Sequence, residues 1–296
     1  MATKKKIILV TGGAGFIGSH LIEQLVQDKN NRVISLDNYF TGSKKNHIKG
    51  AEYLNGHTKD IAKHIKIRPD IIYHLGEYSR VAASLDEPQL VWDLNIAGTL
   101  GVLEFWRKTK GKLIYAGSST KFNVPGKNGI AGKDLAPYTW AKAINSELVK
   151  NYGAWYKLNY SIVYFYNVYG PRERAGQFTG AYGTVIGTFK QNYLRGKTLE
   201  VRRPGTQTRA FTHVIDTVAG IILAGQKGKN DEYGICAKET HSILEVAKMF
   251  SPKIKMLPQT KTSRTSEAMD SKKIKTLGWK QNHTLKKYIQ DIKKQK

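Results

Sequence analysis

The stretch KIILVTGGAGFIGSHL, residues 6–21, decides the fold of this chain. Its first half is a short run of branched apolar residues, which is typical of a strand buried in a parallel sheet. Its second half has a helical pattern, and Gly12, Gly15 and Gly18 lie at the junction. A strand, a glycine turn and a helix in this order predict a dinucleotide-binding turn, because the helix N-terminus offers unpaired N–H groups to a pyrophosphate.

The rest of the chain alternates in the same way. Strand-like segments such as RVISLDN, DIIYHLG, KLIYAGSS and YSIVYFYNVYG alternate with helical ones, among them residues 88–108 and 138–158. This alternation predicts an α/β fold with a Rossmann-type, doubly wound parallel sheet. The pattern stops after YGPRE and returns later, so we expect a nucleotide-binding domain at 1–170 with a returning segment at about 210–235. Residues 171–209 and 236–296 would form a small C-terminal substrate-binding lobe.

Composition excludes several classes of protein. The single cysteine, Cys236, permits no intrachain disulfide, which predicts a reducing, cytoplasmic location. The apolar run Ile7–Val10 is too short for a signal sequence, and no run approaches the ~18 residues of a membrane span. We therefore expect no membrane partner.

The chain carries 48 Lys and Arg residues against 23 Asp and Glu, a net charge of +25. Such charge is typical of nucleic-acid binders. The basic residues are scattered, however, and no recognition helix, zinc finger or aromatic RNA-binding motif accompanies them. The sequence therefore favours a basic enzyme surface over nucleic acid as a partner.

Asp37 ends the second predicted strand, nineteen residues after Gly18. A carboxylate at this place can accept hydrogen bonds from the ribose hydroxyls of an adenosine, and it would repel a 2′-phosphate. The position predicts NAD rather than NADP as the cofactor. The alternative is that Asp37 only caps a turn together with Asn38.

Tyr138 and Lys142 lie four residues apart in YTWAK, at the start of a predicted helix. This spacing places both side chains on one helical face. A free tyrosine is a poor base at neutral pH, but a nearby ammonium and an oxidised nicotinamide favour its phenolate. The spacing is common by chance on amphipathic helices. Behind a glycine turn and Asp37, it indicates a general base and the lysine that activates it.

Several motifs occur together in one order: VTGGAGFIGSHL, LDNYFTG, DIIYHLG, NIAGTLGVLE, YTWAK, YFYNVYGPRE, RAFTHVID and LGW. Over residues 7–280 the chain resembles the extended short-chain dehydrogenase/reductase family, in particular its NAD-dependent nucleotide-sugar epimerases and dehydratases of the UDP-glucose 4-epimerase type. The resemblance implies NAD as cofactor and a nucleotide sugar, foremost a UDP-sugar, as substrate.

The resemblance also implies site residues. Those expected to contact NAD are Gly12, Gly15, Phe16, Ile17, Gly18, Asp37, Asn38, Asp60, Ile61, Leu75, Gly76, Asn95, Tyr138, Lys142, Tyr166 and Val168. Within this set, Asp60 and Ile61 would contact the adenine, and Tyr166 and Val168 the nicotinamide end. Those expected to contact substrate are Ser118, Ser119, Asn167, Arg209 and Arg264. Arg264 resembles a late R-x-G-E/D motif in which Ser266 replaces the glycine.

The segment YAGSSTKF matches the family's S/T-x-x-V-Y-G, which places Ser118 at the catalytic hydroxyl, with Ser119 as the alternative. Dehydratases of the family carry an Asp-Glu pair directly after this hydroxyl, where this chain has Ser119 and Thr120. UDP-glucuronate decarboxylases usually have Glu at the position of Thr120. The hydroxyls of Ser119 and Thr120 cannot act as a general acid or base near pH 7. The sequence therefore predicts a 4-epimerase, with a decarboxylase or 4-keto reductase as the alternative. A non-catalytic protein associated with nucleic acid is the remote alternative.

Two questions stay open at this point. Glu77, Tyr78 and Arg80 replace part of a common HLAA pattern, and they either face the sugar or form a structural ion pair. Apolar residues such as Trp92 on helices 88–108 and 138–158 predict either a homodimer interface or simply a buried face. The eight histidines lack metal-ligand spacing, so we expect no metal.

Overall fold

The computed structural model describes residues 4–122, 130–174, 183–259 and 270–295. A seven-stranded sheet in the order β3-β2-β1-β4-β5-β6-β9 forms its centre, and every neighbouring pair is parallel. This confirms the predicted fold class. The strands are β1 Lys6–Thr11, β2 Asn31–Asp37, β3 Ala51–Asn55, β4 Ile71–His74, β5 Lys112–Ser118, β6 Tyr160–Phe165, β7 Leu199–Arg202, β8 Thr208–Ala210, β9 Asp231–Ile235, β10 Thr240–Ser242 and β11 Ile254–Leu257.

Helices cover both faces of this sheet. They are α1 Phe16–Leu25, α2 Ile61–His64, α3 Pro88–Val91, α4 Gly98–Thr109, α5 Pro137–Tyr156, α6 Val185–Leu194, α7 Val214–Lys227, α8 Ile243–Phe250, α9 Lys272–Thr276 and α10 Leu285–Lys293. A π-helical turn, Trp92–Ala97, joins α3 to α4. The predicted helix 88–108 is thus continuous but locally underwound, because a π-helix has more residues per turn than an α-helix. The strand predicted up to residue 170 ends at Phe165, and Asn167 shortly after it adopts a left-handed φ of 37° that a regular strand does not allow.

Alternate residues of β1 build two separate cores. Ile8 and Val10 pack on one face with residues of α1 and α7, whereas Leu9 packs on the other face with residues of α4 and α5. The two-residue period of a strand explains this division. Because both faces are covered, the strand needs apolar residues at consecutive positions, as the sequence has.

A second region is built on smaller sheets. Strands β8 and β10 pair antiparallel, β7 and β11 pair parallel, and their core includes Phe189, Phe250 and Ile289. The chain then crosses back, since Ile274 and Trp279 pack in the core beside the large sheet. Trp279 fixes this return by donating from Nε1 to the Asp216 carbonyl at 2.8 Å. Within the described ranges, no helix is long and apolar enough to span a bilayer.

The strand order reverses between β1 and β4. In open parallel sheets such a switch point opens a crevice at the carboxyl ends of the strands. The glycine turn after β1 and the segment Leu75–Gly76 after β4 therefore lie side by side.

Candidate active site

The glycine turn packs too closely against neighbouring backbone to admit side chains at Gly12 and Gly18. Gly12 has a φ of 73°, and a Cβ on it would lie 2.8 Å from the backbone N and Cα of Gly76. A Cβ on Gly18 would collide with the Gly12 carbonyl. Helix α1 begins directly afterwards, with Gly15 as its N-cap. The turn thus fits the pyrophosphate of a dinucleotide, since only glycines permit this cradle at a helix N-terminus.

Asp37 reaches the same turn from β2. Its carboxylate accepts hydrogen bonds from the backbone N–H of Ala14 at 2.9 Å and of Tyr39 at 2.8 Å. Burial raises the pKa of this carboxyl, against those two hydrogen bonds. Asn38 caps the next turn by accepting from the Phe40 N–H. The turn-capping alternative is therefore present, and it leaves further lone pairs of Asp37 available to ribose hydroxyls.

The other residues predicted to contact NAD differ in how deeply they are buried. Phe16, Ile17, Leu75 and Val168 are partly buried around the sheet edge that carries the glycine turn. Tyr166 is almost fully buried, as is Ile61, whose N–H donates to the Thr58 carbonyl. Asp60 forms an ion pair with Lys63 at 2.8 Å. The adenine contacts of Asp60 and Ile61 stay predictions.

Asn95 has a different set of contacts from those expected. Its side chain accepts from the Tyr78 N–H at 2.6 Å and donates to the Tyr78 carbonyl at 3.1 Å, and it is fully buried. It therefore clamps the loop that follows Gly76. The contact of Asn95 with NAD stays a prediction, and sequence reasoning did not identify this backbone partner.

Ser118 and Tyr138 stand at the ends of neighbouring elements. Ser118 is the last residue of β5, and its Oγ lies 2.9 Å from Oγ1 of Thr120. Ser119 is buried beside it. Tyr138 is the second residue of α5, where Pro137 occupies the first position and the Ala136 N–H donates to Thr139. Pro at N1 and this hydrogen bond start the helix here, and they thereby place Tyr138 in its first turn.

Lys142, one turn further along α5, is buried. Its ammonium donates to the carboxylate of Glu77 and to the carbonyl of Ala116, two residues before Ser118. It also lies 4.5 Å from the centre of the Tyr115 ring. The lysine is thereby held against the end of β5, on the same side as the predicted catalytic serine.

Glu77 is the group that sequence reasoning left undecided, and it forms an ion pair. Its side chain is 3% exposed. It accepts hydrogen bonds from Thr99 at 2.9 Å, Asn145 at 3.0 Å and Tyr115 at 3.1 Å. Burial by itself would raise the pKa of the Glu77 carboxyl, but the ammonium of Lys142 and the hydrogen bond from Thr99 bring it below its usual value. Glu77 is therefore ionised at neutral pH.

The polar contacts continue to the glycine turn. Thr99 Oγ1 lies 3.0 Å from Nε2 of His74, and His74 Nδ1 lies 2.7 Å from Oγ1 of Thr11. Burial lowers the pKa of His74 to about 4, so the imidazole is neutral. Sequence reasoning missed this network. Its only signal was a Glu in the segment HLGE, where the family pattern has an apolar residue.

The residues predicted to hold the substrate lie partly together. Asn167 donates from Nδ2 to the Ala210 carbonyl at 3.1 Å, which places it beside Arg209, a buried residue of β8. Arg264 lies outside the described residues. Arg80, in the loop after β4, is close enough to Tyr138 and Glu173 for their charges to act on it, and burial lowers the pKa of its guanidinium. Among the described residues, no group of three or more His, Cys, Asp or Glu side chains is placed to hold a metal.

Comparison with known proteins agrees with this geometry. Residues 8–236 match the model of the NAD dependent epimerase/dehydratase family. A putative UDP-glucose 4-epimerase of Methanocaldococcus jannaschii is 31% identical, over 97% of each chain. UDP-glucuronic acid decarboxylase 6 of Arabidopsis thaliana is 30% identical over 92% of this chain and 83% of its own length.

Among solved structures, the UDP-glucose 4-epimerase of Thermotoga maritima with UDP-glucose superposes with a TM-score of 0.85. It is 28% identical and covers 96% of each chain. Together with the glycine cradle, Asp37 and the Tyr138–Lys142 pair, these matches establish that this chain belongs to the NAD dependent epimerase/dehydratase family.

Proposed function

We propose that this chain is an NAD-dependent nucleotide-sugar 4-epimerase acting on a UDP-sugar. The observation that carries the proposal is the set of groups at the end of β5. Tyr138 and Lys142 start the adjoining helix, Ser118 ends the strand, and Ser119 and Thr120 stand where a dehydratase has acids. This set can move a proton on and off one alcohol, and it lacks the further acid that elimination of water requires.

The chain's own residues would work as follows. Tyr138 takes the proton of the sugar's 4-hydroxyl and later returns it, while Ser118 holds that hydroxyl by a hydrogen bond. Lys142 favours the phenolate of Tyr138. Asn167 and Arg209 hold the diphosphate, so that the 4-keto sugar can turn over between the two half-reactions. When bound, NAD supplies the hydride acceptor for the first half and the hydride donor for the second.

A decarboxylase is the second candidate, and one observation favours it. The cationic Arg80 lies near Tyr138, where it could pair with the carboxylate of a sugar acid. Thr120 speaks against it, since decarboxylases of the family usually carry Glu at that position. Release of carbon dioxide from UDP-glucuronate would favour this candidate. A 4-keto reductase would instead consume NADH in proportion to product.

The experiment is incubation of the purified protein with a panel of UDP-, GDP-, CDP- and dTDP-sugars. We expect inversion at C4 without net formation of NADH, since an epimerase restores its cofactor within each turnover. Tyr138→Phe should abolish inversion while NAD stays bound. Tyr156→Phe, an exposed tyrosine on the same helix, is the matched control and should retain the parent rate. Full activity in Tyr138→Phe would refute the assignment of the base.

A homodimer is part of the proposal. Trp92, Leu100, Trp140 and Ile144 form an exposed apolar face on helices α4 and α5 and the turn before α4, each at least 36% exposed. A face of this kind is typical of an interface between copies of a chain. Light scattering should give twice the mass of the 33.2 kDa chain.

The two-domain division and a cytoplasmic location likewise stay proposals.

A further inference from the structure

The Lys142 ammonium is shared between two protein acceptors. An ammonium has three N–H donors. In the described residues two of them are directed to Glu77 and to the Ala116 carbonyl. These two acceptors hold the lysine from two sides at the end of β5. One donor is left for the ribose hydroxyls of the cofactor.

The hydrogen bonds around Glu77 can all be oriented toward its carboxylate. Thr99 and Tyr115 donate to Glu77. Because the Thr99 proton is used in this way, its oxygen accepts from His74 Nε2, and His74 Nδ1 then accepts from the Thr11 hydroxyl. The Thr11 oxygen in turn accepts from the Gly76 N–H at 3.1 Å. Hydrogen bonds that all run in the same direction polarise and strengthen one another, so this series stabilises the carboxylate of Glu77 at its end.

A buried carboxylate changes what the lysine can do for Tyr138. The lysine's positive charge favours the phenolate, and a negative charge in contact with the lysine cancels much of that effect. The titratable groups around the pair come from several elements. They are His74 on β4, Arg80 in the loop after β4, Tyr115 on β5, and Tyr138 with Lys142 on α5. His74 is neutral, so Glu77 is the anion next to the lysine.

We propose that Glu77 is a positioning residue that fixes the Lys142 ammonium at the end of β5 and offsets its charge, so that Tyr138 ionises at higher pH than the lysine alone would allow. The proposal rests on the proposed function for the role of Tyr138. It goes beyond that function because it assigns to Glu77 an effect on the pH at which Tyr138 ionises. The positive charge of an oxidised nicotinamide then becomes the main charge that favours the phenolate.

The test is an ultraviolet titration of tyrosinate in the purified NAD-loaded protein, repeated without added NAD. Subtraction of the same titration in Tyr138→Phe isolates one tyrosine among sixteen. In Glu77→Gln, which keeps acceptor capacity but loses the charge, the Tyr138 midpoint should fall by about one pH unit. Thr99→Val is the matched control, because it removes a hydrogen bond to Glu77 and leaves both charges. Its midpoint should equal that of the parent.

A second comparison keeps the test decisive if Glu77→Gln does not fold. Lys142→Met should raise the Tyr138 midpoint, and the double variant Glu77→Gln/Lys142→Met, which buries no charge, should return it close to the parent value. Equal midpoints in Lys142→Met and the double variant would overturn the proposal. An unshifted Glu77→Gln, or an equal shift in Thr99→Val, would do the same. None of these titrations uses a sugar nucleotide, so absence of turnover would count against the proposed function alone.

Discussion

Two lysines meet carboxylates along β5 and α5, and their surroundings differ. Lys142 and Glu77 are 6% and 3% exposed, and neutral donors surround the carboxylate. Lys121 follows β5 and contacts Glu232 of β9 at 2.9 Å, with side chains 19% and 29% exposed. Lys121 also reaches the Tyr164 hydroxyl and Glu147 of α5. The first pair lies one helical turn from Tyr138, the proposed base, whereas the second is partly exposed and joins the segment after β5 to β9.

The difference in solvent decides what each pair can do. Water reaches the partly exposed Lys121 and Glu232, so it screens their charges more than those of the buried pair. Removal of one partner from a buried pair leaves a charge that water cannot reach. Under the proposed function, the buried pair therefore affects both stability and the ionisation of Tyr138, while the outer pair contributes mainly to the attachment of β9.

The largest expected effect is a difference in turnover between variants of the two lysines. Lys142→Met should lower turnover by about 10²–10⁴-fold, because the phenolate of Tyr138 loses its activating charge and Glu77 repels it. Lys121→Met should keep about the parent rate. The measurement is the initial rate of C4 inversion with saturating sugar nucleotide. Equal losses of turnover in both variants would contradict a specific role for Lys142 beside Tyr138.

The next effect separates the two carboxylates in stability. Glu77→Ala should lower the free energy of unfolding by about 3–5 kcal/mol, because it leaves Lys142 buried without a counter-charge. Glu232→Ala should lower it by about 1 kcal/mol or less. Urea denaturation of each variant, followed by circular dichroism, measures both values. A Glu77→Ala loss as small as that of Glu232→Ala would show that water enters the buried site.

The features that could be predicted from sequence are those with a local cause. The glycine turn, Asp37 at the end of β2, and Tyr138 with Lys142 on one helical face each follow from a short spacing and a steric or helical rule. The same holds for the apolar strands β1, β2, β4, β5 and β6. Two further strands of the large sheet, β3 with the sequence AEYLN and β9 with the sequence DEYGI, were not predicted because they are too polar to recognise.

The features that could not be predicted depend on distant partners. Glu77 and Lys142 are 65 residues apart, and HLGE identifies a departure from the family pattern but not its contact. The clamp of Asn95 on Tyr78 and the return of Trp279 to the large sheet depend on tertiary packing in the same way. No period or turn rule encodes such contacts.

The smallest expected effect is in the pH dependence of stability. The pKa values of both Glu77 and Glu232 lie below the ordinary value, in each case against the opposing effect of burial. A depressed pKa contributes stability above the unfolded value, and the contribution is lost as the pH falls through the folded value. Glu77→Gln should therefore flatten the acid side of the stability profile more than Glu232→Gln does. The check is thermal unfolding of parent and both variants across the acid range. An equal flattening in both variants would show that water screens the buried pair as much as it screens the outer pair. In that case Glu77 would offset the charge of Lys142 only weakly.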